Sequence, residues 1–147
     1  MTQHSQSILG ARAMALAIDF ILLEIFHLLL FILLADKLIQ AIHFDPLALL
    51  ASLILFLLVF LGSFLFLHMA YFTLFHAWSG QTIGKMIMGI MVVTNDNKCI
   101  SPSVAFLRWS GYILSFVPLA IGFLWAVVDK DQCAWHDRLA QTRVIST

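Results

Sequence analysis

Two long apolar runs decide what this chain can become. One extends from about Ile8 to Leu34 and the other from about Leu47 to Trp78. Each exceeds the roughly 20 residues an α-helix needs to cross a hydrocarbon layer. Only 11% of the 147 residues are charged, against about 25% in soluble domains, so too little polar surface exists to cover such runs in water. An integral membrane protein is expected, in contact with the lipid bilayer. The formal net charge of zero removes the basic field that nucleic-acid binding requires. No enzyme is expected, because no Ser-His-Asp or Cys-His nucleophile arrangement is evident.

The first run is expected to be a retained helix rather than a cleaved signal. Residues 1–11 hold no Lys or Arg, and the run carries Asp19 and Glu24. A loop, "ADKLIQAIHFDP", joins it to the second run, with Pro46 suited to a first helical turn. The third apolar region, 102–128, begins with Ser101 and Pro102, a cap and a first turn. Arg108 lies early in it and Pro118 interrupts it, so one kinked span and two short helices bent back at Pro118 both fit.

Charge asymmetry favours the second geometry. With three full spans the eight Lys and Arg residues divide four and four. If the third region returns to its own side, seven face Lys37 alone, which places both termini in the cytoplasm. The expected fold is therefore all-α: two long transmembrane helices, a Pro-kinked re-entrant or double-helix third region, and a small cytoplasmic β-hairpin or sheet. As one membrane domain over 1–147, it reads as transmembrane helices at about 8–34 and 47–78, an interfacial helix at 80–91, a hairpin at 91–101 and a cytoplasmic tail at 129–147. In the interfacial helix Ile83, Met86, Ile87 and Ile90 share helical spacing, with Lys85 expected to turn toward water or head groups. Asn95, Asp96 and Asn97 form the hairpin turn, and the tail "QTRVIST" has the alternation of a strand that could join the sheet.

The charges inside the apolar runs are the candidate functional residues. Arg12 and Asp19 lie seven residues apart, hence on one helix face but about 10 Å apart along the axis, too far for easy pairing. Arg12 can extend its stem to the interface, whereas Asp19 must find protein or water inside. Two readings stay open for it: a structural staple, or a group that titrates or coordinates during transport. The small residues Gly10, Ala11, Ala13, Ala15 and Ala17 suit close helix packing. Glu24, about 140° round the helix from Asp19, is expected to face another helix or a partner subunit. Phe56, Phe60 and Phe64 form a ridge of lipid-facing or packing surface. A second cluster, Trp135, His136, Asp137 and Arg138, follows the third region, with Trp135 as an interface anchor.

No metal site is expected. His68 and His76 share a face that His136 could join, but a hydrogen-bonded interfacial histidine explains each more simply. Cys99 and Cys133 have no metal-site spacing and are expected as free thiols. "GQTIGK" is not a phosphate loop, since three residues separate Gly80 and Gly84 and Met86 follows Lys85. No cofactor is implied.

Three stretches, "ARAMALAIDFILL", "SGQTIGKMIMGIMVV" and "GFLWAVVDKDQCAWHDRLAQTRVI", together resemble the RDD family of small membrane proteins. The resemblance implies that Arg12, Asp19 and Asp137 are the family's name-giving residues. Gly80, Gln81, Thr82, Gly84 and Lys85 would form its glycine-lysine loop, and Arg108 the arginine early in the third region. Gln141 departs from the pattern, where members often carry glycine. The resemblance further implies a bacterial-type inner membrane and a broad association with transport, including cation–proton exchange in some members. In the favoured topology, which gathers both residues at one interface, Arg12 is expected to pair with Asp137, and Asp19 to face Lys85 or Arg108. Two functions follow as alternatives. One is a small, oligomeric transporter of a solute or of cations and protons using Asp19. The other is a non-catalytic accessory or scaffold subunit of a larger membrane-protein complex.

Overall fold

A computed structural model describes residues 2–40 and 46–147, with side chains described for 8–33, 35 and 49–147. The chain is mostly helical, in the order α1 (Thr2–Gln40), α2 (Pro46–Ser79), α3 (Ile83–Ile87), β1 (Ile90–Thr94), α4 (Pro102–Phe116), α5 (Ile121–Val128), α6 (Trp135–Leu139) and β2 (Thr142–Ser146). α1 contains the candidate span Ile8–Leu33 and α2 the candidate span Leu49–Ser79. Both are long and apolar enough to cross a membrane. α1 continues as helix to Gln40, so most of the connection expected from residue 35 is helical, and loop residues 41–45 lie outside the described residues, as does the Lys37 side chain.

The described chain forms two compact units, Met1–Asp19 with Met69–Thr147, and Phe20–His68. In the second unit an aromatic and polar seam joins the two helices. Phe31 meets Phe56 and Phe60 edge-on at 4.6 and 4.8 Å between ring centroids, and His27 lies 4.7 Å from Phe60. The phenylalanine ridge therefore packs between helices. Ser63 Oγ–H donates to the Phe60 carbonyl at 3.0 Å, which leaves its oxygen to accept from His27 Nε2 at 2.9 Å. Glu24 faces His68 at 3.7 Å within the same unit.

The first unit holds the small sheet and the short helices. α4 and α5 meet at a 96° bend, the geometry of a broken span or of a re-entrant loop. At 15 and 8 residues, they extend only about 22 and 12 Å, each short of the roughly 30 Å hydrocarbon layer. Pro118 lies in the break, and Leu119 and Ala120 take left-handed backbone angles (φ 53° and 61°) that turn the chain. Ser101 caps α4, accepting from the Val104 N–H, with Pro102 in the first turn.

Two local expectations change. The hairpin loses its return arm: the Asn95–Asn97 turn forms, but residues 98–101 are not a strand. β2 takes that place, pairing antiparallel with β1 from Ile90 opposite Ser146 to Thr94 opposite Thr142. The arm is preempted because Ser101 and Pro102 already start α4. The helix expected over 80–91 shortens to α3, and Lys85 turns inward instead of toward water or head groups. Lys85 is buried, while Met86 and Ile87 are exposed. In lipid the apolar medium lies outside, so the apolar face turns out and the cation turns in.

Candidate functional site

Asp19 lies two helical turns beyond Arg12 in α1 and is only 1% exposed. Its carboxylate is held by neutral donors. Tyr71 O–H of α2 and Gly84 N–H of α3 donate to Oδ1 at 2.6 and 2.7 Å, and Thr82 O–H donates to Oδ2 at 2.5 Å. Thr82 caps α3 through the same oxygen, accepting from Lys85 N–H. The expectation that Asp19 pairs with Lys85 or Arg108 is thus corrected. Among the described residues Asp19 forms no ion pair, because the hydroxyls and the loop amide reach it first.

Backbone approach makes this possible. A Cβ on Gly84 would strike the Ala15 carbonyl of α1 and stand 3.0 Å from the Asp19 carboxyl carbon. The glycine lets the loop's amide reach the carboxylate. Close packing along α1 centres on the fully buried Ala15; Gly10, Ala13 and Ala17 are exposed.

Asp137 is the second buried carboxylate, fully enclosed. The ion pair with Arg12 of α1 is present at Oδ2, and Arg108 of α4 binds Oδ1 at 2.5 Å. Ala134 N–H donates to Oδ2 at 2.9 Å, capping the start of α6. Arg12 also donates to the Gln132 carbonyl at 2.7 Å. Arg108 donates to Thr142 Oγ1 of β2 at 2.5 Å and to the Tyr112 hydroxyl at 3.3 Å. Burial alone would raise the Asp137 pKa, but Arg108 and Arg12 hold it well below the usual carboxylate range. His136 is buried under Tyr112, ring centroids 4.5 Å apart. α6 approaches there over Gly111, where a Cβ would meet the His136 Cβ at 2.8 Å. Burial, then Arg108 and Arg12, push the His136 imidazole well below its ordinary value, so it is neutral at physiological pH.

Lys85 has a different setting. It is 7% exposed and its amine lies 2.5 Å from His76 Nε2. His76 Nδ1 faces the Phe72 carbonyl at 2.7 Å, a partner that only accepts. Nδ1 therefore carries the proton, and Nε2 accepts from Lys85. Burial, reinforced by Arg108, pushes the Lys85 amine well below its ordinary range, with Asp137 and Asp19 pulling the other way.

Arg12, Asp19, Lys85, Arg108 and His136 line one cavity of about 220 Å³, whose apolar wall includes Leu16, Phe72 and Phe123. Thr82 and Gly84 hold Asp19 at its edge, and Asp137 backs the two arginines. Three other candidates lie elsewhere. Gln81 bonds the Ile90 carbonyl, Trp135 packs 6.3 Å from Trp125, and the exposed Arg138 pairs with Asp129. Residue patterns did not reveal Tyr71, Tyr112 or Thr142, which hold the charged groups. The available sign was a hydroxyl in or beside an apolar run, a common and weak signal. Among the described residues no group of three or more His, Cys, Asp or Glu side chains could hold a metal. Cys99 and Cys133 are free thiols.

Two membrane-length helices and a buried charged cluster define a helical membrane protein. Its sequence matches the RDD family over residues 7–141, and the chain belongs to that family. Comparison with curated proteins and with solved structures gives no match.

Proposed function

We propose that this is a polytopic inner-membrane protein, with both termini cytoplasmic, that moves a small solute across the bilayer through the cavity of its first unit. One observation carries the reading. Asp19 and Lys85 line the same cavity, and neither forms an ion pair among the described residues. Buried ionisable groups that only staple helices together recover their desolvation cost by direct contact. A cavity kept polar at that cost fits a group that enters from outside. The donors around Asp19 favour a solute over a bare cation, because three of them fill most of the carboxylate's roughly four lone-pair sites.

The topology has independent support. β1 follows α2 and β2 ends the chain, so their pairing keeps both on one face. The 96° bend agrees with a third region that does not traverse, and seven of eight Lys and Arg residues then share that face. A homo-oligomer supplies the further helices needed to enclose a path.

The test is entry of small organic solutes into proteoliposomes, read by vesicle swelling and internal pH. Wild-type protein is expected to admit a solute that protein-free vesicles exclude, and Asp19→Asn to reduce entry to the protein-free rate while keeping its thermal unfolding transition. Equal entry by wild-type and empty vesicles, together with a stoichiometric partner in native-membrane purification, supports the accessory-subunit reading instead.

A further inference from the structure

The geometry points to an anion site in the first-unit cavity: a singly charged carboxylate or phosphate group held by the Lys85 amine, with its apolar remainder against Phe72 and Phe123. This inference rests on the solute reading of the cavity and names the class of solute.

The charges around the cavity do not balance. Arg12, Arg108 and Lys85 stand against Asp19 and Asp137. Both arginines are committed to Asp137, and the Asp19 oxygens are taken by Tyr71, Thr82 and Gly84. When the amine is protonated, the surplus positive charge falls on Lys85, and the site lacks one negative charge to match it. Among the described residues its amine has one hydrogen-bond partner, the neutral acceptor His76 Nε2, and once protonated it keeps two further N–H groups for the cavity. A buried amine with donors to spare and no carboxylate beside it matches a ligand that brings the missing negative charge. The cavity, at about 220 Å³, exceeds the roughly 150 Å³ that admits benzene in an engineered core. Beside these polar groups the wall carries Leu16, Phe72, Phe123 and Leu124, an apolar side that suits a short chain attached to the charged group.

Proton coupling follows from the same contacts. Arg12 and Asp19 face Lys85 from α1, His76 from α2, Arg108 and Tyr112 from α4, and His136 and Asp137 from α6. Without an anion, burial and Arg108 favour the neutral amine. An anion beside it reverses that preference, so the amine takes up one proton from water as the anion enters. The bound pair is electrically neutral.

Titration of the full-length protein in phosphatidylcholine nanodiscs with butyrate and with inorganic phosphate tests the site by calorimetry. Repeating it in buffers of different ionisation enthalpy counts protons. Wild-type protein is expected to bind butyrate or phosphate with proton uptake, a readout that needs no variant. Lys85→Met is expected to weaken binding roughly tenfold or more, the size of one charge-assisted hydrogen bond. Lys85→Arg keeps the charge and binds without proton uptake. If neither free anion binds but phosphatidylglycerol nanodiscs raise the unfolding temperature in a Lys85-dependent way, the anion is a lipid head group and the site stands. Absence of both effects, or equal binding by Lys85→Met, overturns it. Anion binding without vesicle entry removes transport and keeps the site; solute entry without anion binding does the reverse.

Discussion

Asp137 holds two guanidiniums, and Arg12 and Arg108 come from helices far apart in the chain. Asp137→Asn keeps the shape but leaves the buried Arg108 and the part-buried Arg12 without their counter-charge. Loss of one partner from a buried ion pair costs about 3–5 kcal/mol, and a fall of that size is expected in denaturant unfolding of the detergent-solubilised protein. Lys85 acts in the opposite sense. Its pKa in the folded state is lowered, so folding expels a proton that the unfolded chain keeps up to the ordinary value of 10.5. The resulting penalty is fully present below the lowered pKa and fades as pH rises toward 10.5. The unfolding temperature of wild type relative to Lys85→Met is therefore expected to climb between pH 8 and pH 10. A flat difference across that range would mean that Lys85 is charged throughout.

Short elements deliver these side chains, and their termini show how. α3 is a single turn whose cap, Thr82, also donates to Asp19, so one residue both starts the helix and fixes the carboxylate. β2 holds Thr142 against Arg108. Between α6 and β2, Gln141 takes a left-handed conformation, φ 52°. This explains why glycine would suit the position. Left-handed backbone costs a side-chain-bearing residue roughly 1–2 kcal/mol, part of which glycine's own flexibility offsets. Gln141→Gly is expected to stabilise the protein by about 1 kcal/mol in the same unfolding assay. The apolar spans and the Ser101-Pro102 start were legible in the residues, being local patterns. The partner of β1 was less so, since strand alternation in 142–146 does not say which strand it joins.

At the scale of the whole molecule, the β1–β2 sheet brings the connection after α2 and the chain's end together. In sealed inverted membrane vesicles, the exposed Cys99 and a cysteine introduced at Thr147 are expected to react with an impermeant maleimide from the same, cytoplasmic side. Labelling from opposite sides would break the topology proposed above.

What the residues determined by themselves was the solvent and the cost. Two charge-poor runs require lipid, and an aspartate within one of them requires a buried partner, because ionised groups are expensive there whatever the fold. The Arg12–Asp137 pair was also foreseeable, from the topology that gathers both residues at one interface. Only the tertiary structure decided that Asp19 is met by Tyr71, Thr82 and the Gly84 amide and not by a cation. It also turned Lys85 inward onto His76. The reason is physical: a carboxylate accepts any donor within reach, and which donor arrives first depends on how closely two backbones approach. Here that approach is set by Gly84 against Ala15, a contact between residues 69 positions apart that neither helical period nor charge pattern records.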